Sequence, residues 1–362
     1  MSFRRVQGLG VSTVAILSFR FGATDGVSVE ARKWARILER LGFRTLTVAA
    51  EGSDRLVAGL GITDGDGPPP DQGALGEALA DADLVVVENL CSLPLNPAAA
   101  RAVASCLRGR PAILHHHDLA WQRPHLAGLE GFPPDDPAWR HVTINDLSRR
   151  QLAERGITAT TIPNGFDTDA PPDGDRPGTR ARLGLADGAR LLLHPTRAIP
   201  RKNVAGAIAL AEGLGATYWL LGPAEDGYGP ELGRLLAAAS VPVIHGGPAG
   251  ISLADAYAAA DAVALPSTWE GFGNATIESA VHRRPLAIGD YPVAREIAAY
   301  GLRWFPSADP RPLATWLDHP DSDLRNQDLH DGNLAIARRH FGLDAVELRL
   351  RRVLDQAGWL AG

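Results

Sequence analysis

The chain is predicted to fold as α/β, in two units that each carry a parallel sheet covered by helices. Three observations predict this. Short runs rich in Val, Ile and Leu alternate with helix-length segments along all 362 residues. The runs are nearly continuous in apolar residues, as in strands buried on both faces. A Pro/Gly/Asp stretch at 169–178 then splits the alternation into two halves, and the length suits two cores better than one. The expected division is an N-terminal domain at 1–168, a linker at 169–188 and a C-terminal domain at 189–343. A last helix follows at 344–362, with a return to the N-terminal domain as one option.

In the first half, Thr13 to Phe19 reads as the first strand, with Val14-Ala-Ile-Leu17 at its centre. A Gly-containing loop and a helix from about Val29 to Leu41 follow. Further strands are expected at Arg44 to Ala50, Asp83 to Glu88 and Pro111 to Leu114. The Gly, Asp and Pro of 64–72 mark a surface loop. His141 to Asn145 opens another strand–helix unit, with Asn145 or Asp146 as its cap.

The second half repeats the pattern. Strands are expected at Arg190 to Leu193, Thr217 to Gly222, Val241 to Ile244, Ala262 to Leu265 and Leu286 to Ile288. Helices are expected at Ala205 to Leu214, Glu231 to Ala239, from Leu313 onward, and at Asp344 to Gly358, where Val346, Leu348, Val353 and Leu354 recur at helical spacing. There is no internal repeat and no low-complexity tail. In open α/β sheets, ligands bind at the carboxyl ends of the strands.

Composition narrows the function classes. The apolar fraction of 45% and charged fraction of 22% are those of a globular chain. A net charge of −6 argues against nucleic acid as a partner. Cys91 and Cys106 are the only cysteines, which suits a reducing, cytoplasmic setting without disulfides. The basic start has no long apolar run or cleavage site behind it, and no run is long enough to span a bilayer. Peripheral membrane contact stays open, and the oligomeric state is not legible. Only two basic residues are lysines, Lys33 and Lys202, which draws notice to both.

The most informative segment is Leu265-Pro-Ser-Thr-Trp-Glu270-Gly-Phe-Gly-Asn-Ala-Thr-Ile-Glu278. A strand leads in, and a Gly-Phe-Gly turn should open a helix near Asn274. Helix-start N–H groups favour phosphate, and two carboxylates eight residues apart favour sugar hydroxyls. A nucleotide diphosphate sugar presents both. A second segment, His194-Pro-Thr-Arg197-Ala-Ile-Pro-Arg201-Lys202-Asn203, also lies between a strand and a helix. A guanidinium and an ammonium there can neutralise a departing diphosphate without metal. A third, His115-His116-His117-Asp118-Leu-Ala-Trp121-Gln122, stands at a strand end. Three histidines and an aspartate invite a metal, but neighbours on a strand point to opposite sides, so no metal site is expected. Five Asp-x-Asp pairs (64–66, 81–83, 167–169, 173–175, 321–323) look compositional.

The string Pro-Ser-x-x-Glu-Gly-Phe-Gly-x-x-x-x-Glu resembles the Glu-x7-Glu signature of retaining glycosyltransferases of family four, which have the GT-B fold. The resemblance implies two Rossmann-like domains facing across a cleft, and transfer of a hexose from a nucleotide diphosphate sugar (UDP-, GDP- or ADP-linked) to an acceptor hydroxyl. It implies retention of configuration and no cofactor. It assigns Arg197 and Lys202 to the diphosphate, Glu270 to the donor sugar, Glu278 to the ribose, and the N–H groups of Gly271, Phe272, Gly273 and Asn274 to sugar and β-phosphate. His245, in His-Gly-Gly, matches the turn near the nucleobase. The stretch from His117 to Gln122 is similar to a segment of glycogen synthases and their relatives in which a histidine lies against the donor sugar. His117 is the first choice for it and His116 the second. Gly26 matches a glycine of the family's first loop. Arg20, Asp25, His116, Asp118 and Trp121 are acceptor-side candidates, and the acceptor is expected to be a small polar or anionic metabolite. Where the family often has Gly-Gly, this chain has Gly289-Asp290-Tyr291, which is expected to alter how the donor is held. A hydrolase, a sugar-nucleotide epimerase and a non-catalytic nucleotide-sugar binder remain open alternatives.

Overall fold

A computed structural model describes residues 12–22, 26–63, 67–169, 173–319 and 323–360. The chain divides into two compact units. The first is Met1–Pro163 with Val346–Gly362, and the second is Asn164–Ala345.

In chain order the first unit contains β1 (Thr13–Leu17), α1 (Gly26–Arg40), β2 (Arg44–Ala49), β3 (Arg55–Leu56), α2 (Gln72–Ala78), β4 (Leu84–Glu88), α3 (Pro97–Leu107), β5 (Ala112–His116), β6 (Trp139–Thr143), α4 (Asp146–Ala153) and β7 (Ala159–Thr161). All described strand pairs are parallel, and the sheet order is β3-β2-β1-β4-β5-β6-β7. β1, β4 and β5 are buried along their whole length, as near-continuous apolar runs require. α1 buries Ala31, Trp34, Ile37 and Leu38, which share one face at three- and four-residue spacing. α4 starts where Asn145 Oδ1 accepts the Ser148 N–H at 2.7 Å, so Asn145 is the cap. The core lies between helices and sheet, around Leu17, Val48, Val87, Leu114 and Trp139.

The second unit contains α5 (Arg176–Arg182), β8 (Leu191–His194), α6 (Val204–Leu214), β9 (Thr217–Leu220), α7 (Gly229–Ala238), β10 (Val243–His245), α8 (Leu253–Ala259), β11 (Ala262–Leu265), α9 (Ala275–Val281), β12 (Leu286–Ile288), α10 (Pro292–Ala298), β13 (Phe305–Pro306), α11 (Pro310–Asp318) and α12 (Asp323–Phe341). Its parallel sheet runs β10-β9-β8-β11-β12-β13. Its core includes Leu192, Val204, Leu210, Tyr218, Ala264 and Leu313. The last helix, α13 (Leu343–Gln356), belongs from Val346 onward to the first unit, where Arg40 pairs with Glu347 at 2.5 Å.

In both sheets the winding reverses beside the first strand, between β1 and β4 and between β8 and β11. These switch points open crevices at the carboxyl ends of the strands.

Several expectations need correction. The first strand stops at Leu17 rather than Phe19. The stretch 169–188 is not simply a linker, because it contains α5. Pro177 sits in the first turn of α5, where a proline forfeits no helical hydrogen bond, and Asp175 caps the helix by accepting the Gly178 N–H at 2.9 Å. α5 is tied to its unit by Arg176, which reaches the carbonyls of Ala258, Ala259 and Ala260, and by Asp261, which pairs with Arg176 and Arg180. The units meet in sequence at Pro163/Asn164, five residues before the expected edge. α2, α3, α8, α10, β3, β7 and β13 are not legible in the sequence pattern: β3 is two residues long, and α3 is a run of alanines with little polar contrast.

Candidate active site

In the first unit the chemistry gathers at the carboxyl ends of β1, β4 and β5, three neighbours in the sheet. Arg20 follows β1 and is exposed, and Gly26 begins α1. Among the described residues a Cβ at Gly26 would meet no atom within 4 Å. Asp25 lies outside the described residues.

β5 ends in the three histidines, and strand alternation sorts them. His115 and His117 turn to one side, where Glu88, the last residue of β4, meets both. Its Oε2 lies 2.9 Å from His115 Nδ1 and 2.8 Å from His117 Nε2. Glu88 is fully buried. Burial pushes its carboxyl up, but the His115 charge and the hydrogen bonds from both rings outweigh that and bring it down to about 2. As a carboxylate it can only accept, so both ring nitrogens donate. Burial pushes His117 down, and Glu88, with help from Glu30 and Asp118, raises it above the ordinary histidine value. Trp34 of α1 stacks on His115 at 4.1 Å between ring centroids.

The residue after Glu88 fixes the backbone. Asn89 adopts the left-handed region (φ 59°), which asparagine tolerates, and its Oδ1 accepts the N–H groups of both His117 and Asp118 at 3.1 Å. Strand alternation does part the three neighbours as expected, but residues two apart share a face, and Glu88 from the adjoining strand joins His115 and His117 there. The donor atoms of Glu88, His115 and His117 lie within 4.8 Å of one another, the convergence a cation would need.

His116 turns the other way. Its Nε2 lies 2.9 Å from His141 Nδ1, and His141 Nε2 lies 3.0 Å from Asp135 Oδ1. Burial lowers both histidines, holding them neutral. His116 thus belongs to a different network from His117. Asp118 pairs with Arg123 at 3.0 Å. Trp121 donates its indole N–H to Gln151 at 2.9 Å and lies under the Arg155 guanidinium at 3.8 Å, so its ring is committed to local packing.

In the second unit the loops after β8 and β11 flank the switch point. Lys202 is buried, and its Nζ lies 2.5 Å from Glu270 Oε1. Arg201 reaches Glu270 Oε2 at 2.6 Å, and Ser267 Oγ donates to Oε1 at 2.5 Å. Burial pushes the Glu270 carboxyl up, but Lys202 and Arg201 pull it below the usual range. Burial lowers the Lys202 ammonium despite Glu270. Behind them His194, the last residue of β8, is buried against Tyr218, and burial with the Lys202 charge brings it down to about 3. It is therefore a neutral neighbour.

The two loops are stitched together. Asn203, left-handed at φ 51°, caps α6 by accepting the Gly206 N–H at 3.1 Å and donates to Pro266 O at 3.2 Å. The Thr268 N–H meets Arg201 O at 2.9 Å. A Cβ at Gly289 would fall 2.4 Å from Ser267 O, so only glycine lets the end of β12 pass under this loop.

The signature turn itself is held by Gly273 (φ 86°), where a Cβ would sit 2.6 Å from the Tyr291 hydroxyl. Tyr291 is thus buried packing beneath the turn, while Asp290 is turned outward onto Arg295 at 2.6 Å. Asn274 stands at the start of α9 and accepts from Asn164 Nδ2 at 2.9 Å. The first N–H groups of such a helix lack intrahelical partners. Gly271 and the half-buried Glu278 frame the turn, and Glu278 accepts the Tyr257 hydroxyl at 2.8 Å. His245, exposed at the end of β10, lies 3.1 Å from Gly222 O.

The Phe272 ring is core, stacked on Phe166 and edge-on to Phe341, so the backbone N–H, the group assigned to the donor, is the part of it that can serve a ligand. Both Glu270 oxygens accept protein donors, Oε1 from Lys202 and Ser267 and Oε2 from Arg201. Arg197 is half-exposed and pairs with Glu225, whereas Arg201 joins Lys202 at Glu270. Arg201, Ser267, Glu88, His115, Asn89 and Tyr257 were missed. Adjacency to Lys202 was a signal for Arg201. The others needed strand register or loop contacts that spacing does not encode.

No protein-family model matches the chain. It is similar to mannosylglucosylglycerate synthase of Thermotoga maritima, 26% identical over 423 aligned residues, covering 94% of this chain and 99% of the relative. It is also similar to D-inositol 3-phosphate glycosyltransferase of Actinosynnema mirum, 36% identical over 185 residues, 45% of this chain and 44% of the relative. Among solved structures, Anabaena HepE in complex with UDP and glucose superposes with a TM-score of 0.72 at 18% identity, over 95% of this chain and 100% of the other.

Proposed function

We propose that this chain, a glycosyltransferase of the GT-B fold, moves a hexose from a nucleotide diphosphate sugar to a hydroxyl of a small anionic acceptor, with retention of anomeric configuration and without metal. The observation that carries the reading is the buried Lys202–Glu270 pair, joined by Arg201, at the switch point of the second unit.

Breaking a sugar–diphosphate bond builds negative charge on the departing phosphate. An ammonium offers three N–H donors, and Glu270 takes one from Lys202, leaving two for phosphate oxygens. Glu270 fixes the ammonium, and the apolar surroundings strengthen its attraction for an anion. Arg197, on the same loop and able to leave Glu225, supplies a second cation. The N–H groups of Gly271 to Asn274 are assigned to the same anion. Glu278 is assigned the ribose hydroxyls, and His245 the edge of the base. In the first unit His117 is assigned to the donor sugar near its reacting carbon. The departing phosphate oxygen takes the acceptor proton, so no further base is required.

The HepE neighbour was solved with UDP and glucose, which makes a UDP-sugar the first donor to test. Two relatives carry a glycerate product and an inositol phosphate acceptor in their names, which supports a small anionic acceptor here. A chain with no described helix long and apolar enough to cross a membrane suits such metabolites.

The decisive experiment is a thermal-shift screen of UDP-, GDP- and ADP-sugars, followed by turnover assays with hydroxy-acid acceptors and by determination of product configuration. A ligand at a hundred times its dissociation constant should stabilise the fold by about 2.7 kcal/mol. No shift with any nucleotide sugar overturns the reading. Activity lost to a chelator and restored by manganese overturns its metal independence.

A further inference from the structure

We propose that Glu88 is the positioning residue for His117, holding the ring by its Nε2 so that Nδ1 is the nitrogen presented to the substrate. The inference rests on the assignment of His117 to the donor sugar made above, and it deepens that assignment to an atom.

The geometry is specific. Glu88 Oε2 lies 2.8 Å from His117 Nε2, and Asn89 Oδ1 holds the His117 backbone N–H at 3.1 Å. Two consecutive residues at the end of β4 therefore fix both ring and backbone of the residue that leaves β5. The second N–H on the same Oε2 comes from His115, itself clamped under Trp34. That second donor pins the carboxylate, so it cannot rotate to free the His117 ring. Both rings and the carboxylate are buried, and bonds there are stronger than in water.

The groups facing His117 are Glu88 from β4, Glu30 from α1, Asp118 on its own turn, and His115, whose ring centroid lies 4.5 Å away. Lys33 pairs with Glu30 at 3.0 Å and Arg123 with Asp118, so Glu88 is the acid in direct contact with the ring. Its charge keeps the imidazole cationic further up the pH scale. A cation with Nε2 committed offers Nδ1–H, a donor suited to a sugar hydroxyl or a departing oxygen.

Ring-nitrogen NMR on the full-length protein tests this, with His117 assigned by its loss in His117→Asn. In the wild type, His117 Nε2 should stay protonated through the titration and Nδ1 should be the site that titrates; an Nδ1–H neutral tautomer overturns the proposal whether or not a donor has been found. In Glu88→Gln, the His117 midpoint should fall by about one pH unit or more, and kcat by about a hundredfold with little change in donor KM. Glu88→Asp should recover part of both. An unchanged midpoint in a folded Glu88→Gln, judged by circular dichroism, overturns the proposal. If Glu88→Gln fails to fold, the wild-type tautomer decides alone. Absence of turnover with any nucleotide sugar would instead overturn the functional reading and leave the tautomer result standing.

Discussion

At the scale of single residues, chemistry is set by which charge is buried against which. Lys202 and Glu270 are each unfavourable in the interior alone and tolerable together, so removing either has two effects. Lys202→Ala should lower kcat by about 10²- to 10³-fold, the usual loss for one donor to a developing oxyanion. Initial rates at saturating donor check this, and unchanged turnover removes Lys202 from the phosphate. Glu270→Gln leaves the buried Lys202 and the half-buried Arg201 without their shared counter-charge, and chemical denaturation should report a loss of about 3 kcal/mol. Gly273 is constrained differently. Alanine there meets both a positive φ and the Tyr291 hydroxyl. Gly273→Ala should cost about 1–3 kcal/mol of stability and should weaken nucleotide binding measured by calorimetry.

At the scale of elements, the loops that carry the site are fixed from below by backbone bonds. Asn203 and the Thr268 N–H join the β8 and β11 loops, so Arg201, Lys202 and Glu270 move as one body. Away from the site, Asp261 binds Arg176 and Arg180 of α5 and the Leu191 N–H of β8. Asp261→Asn should loosen α5 without touching the site. Losing one charged hydrogen bond, about 1.5 kcal/mol, should speed amide exchange at 176–182 roughly tenfold, with turnover retained. Exchange unchanged there would show that α5 stands without Asp261. This helix was hard to read from residue types, because Pro177 and Gly178 look like breakers unless the cap at Asp175 is recognised.

At the scale of the whole molecule, buried titrations set the pH response. Glu88 and Glu270 have folded values below their ordinary 4.5, so the unfolded chain takes up protons first and stability falls as pH drops below about 4.5. His116 and His194 are held below their ordinary 6.5, so the unfolded chain again binds more protons between the two values. Both effects have the same sign on the acid side. His117 opposes them: its raised value contributes stability below 6.5 that is lost as pH rises through its folded value. The melting temperature should therefore fall steadily from pH 6.5 to about pH 3. A melting curve flat across that range would mean that these groups are not buried as described.

What the sequence determined by itself was the fold class and the two segments from which the second unit's candidate site is built. Apolar runs set the strands, and the Glu-x7-Glu string and the Arg–Lys loop are local, so neighbouring residues carry the whole signal. What only the tertiary structure decided was pairing across strands: that His115 and His117, not His116, meet Glu88, and that Arg201 rather than Arg197 shares Glu270 with Lys202. These contacts depend on sheet order and on where each strand ends against its neighbour. The order follows from how helices cover both faces of the sheet, and no single stretch of chain encodes that.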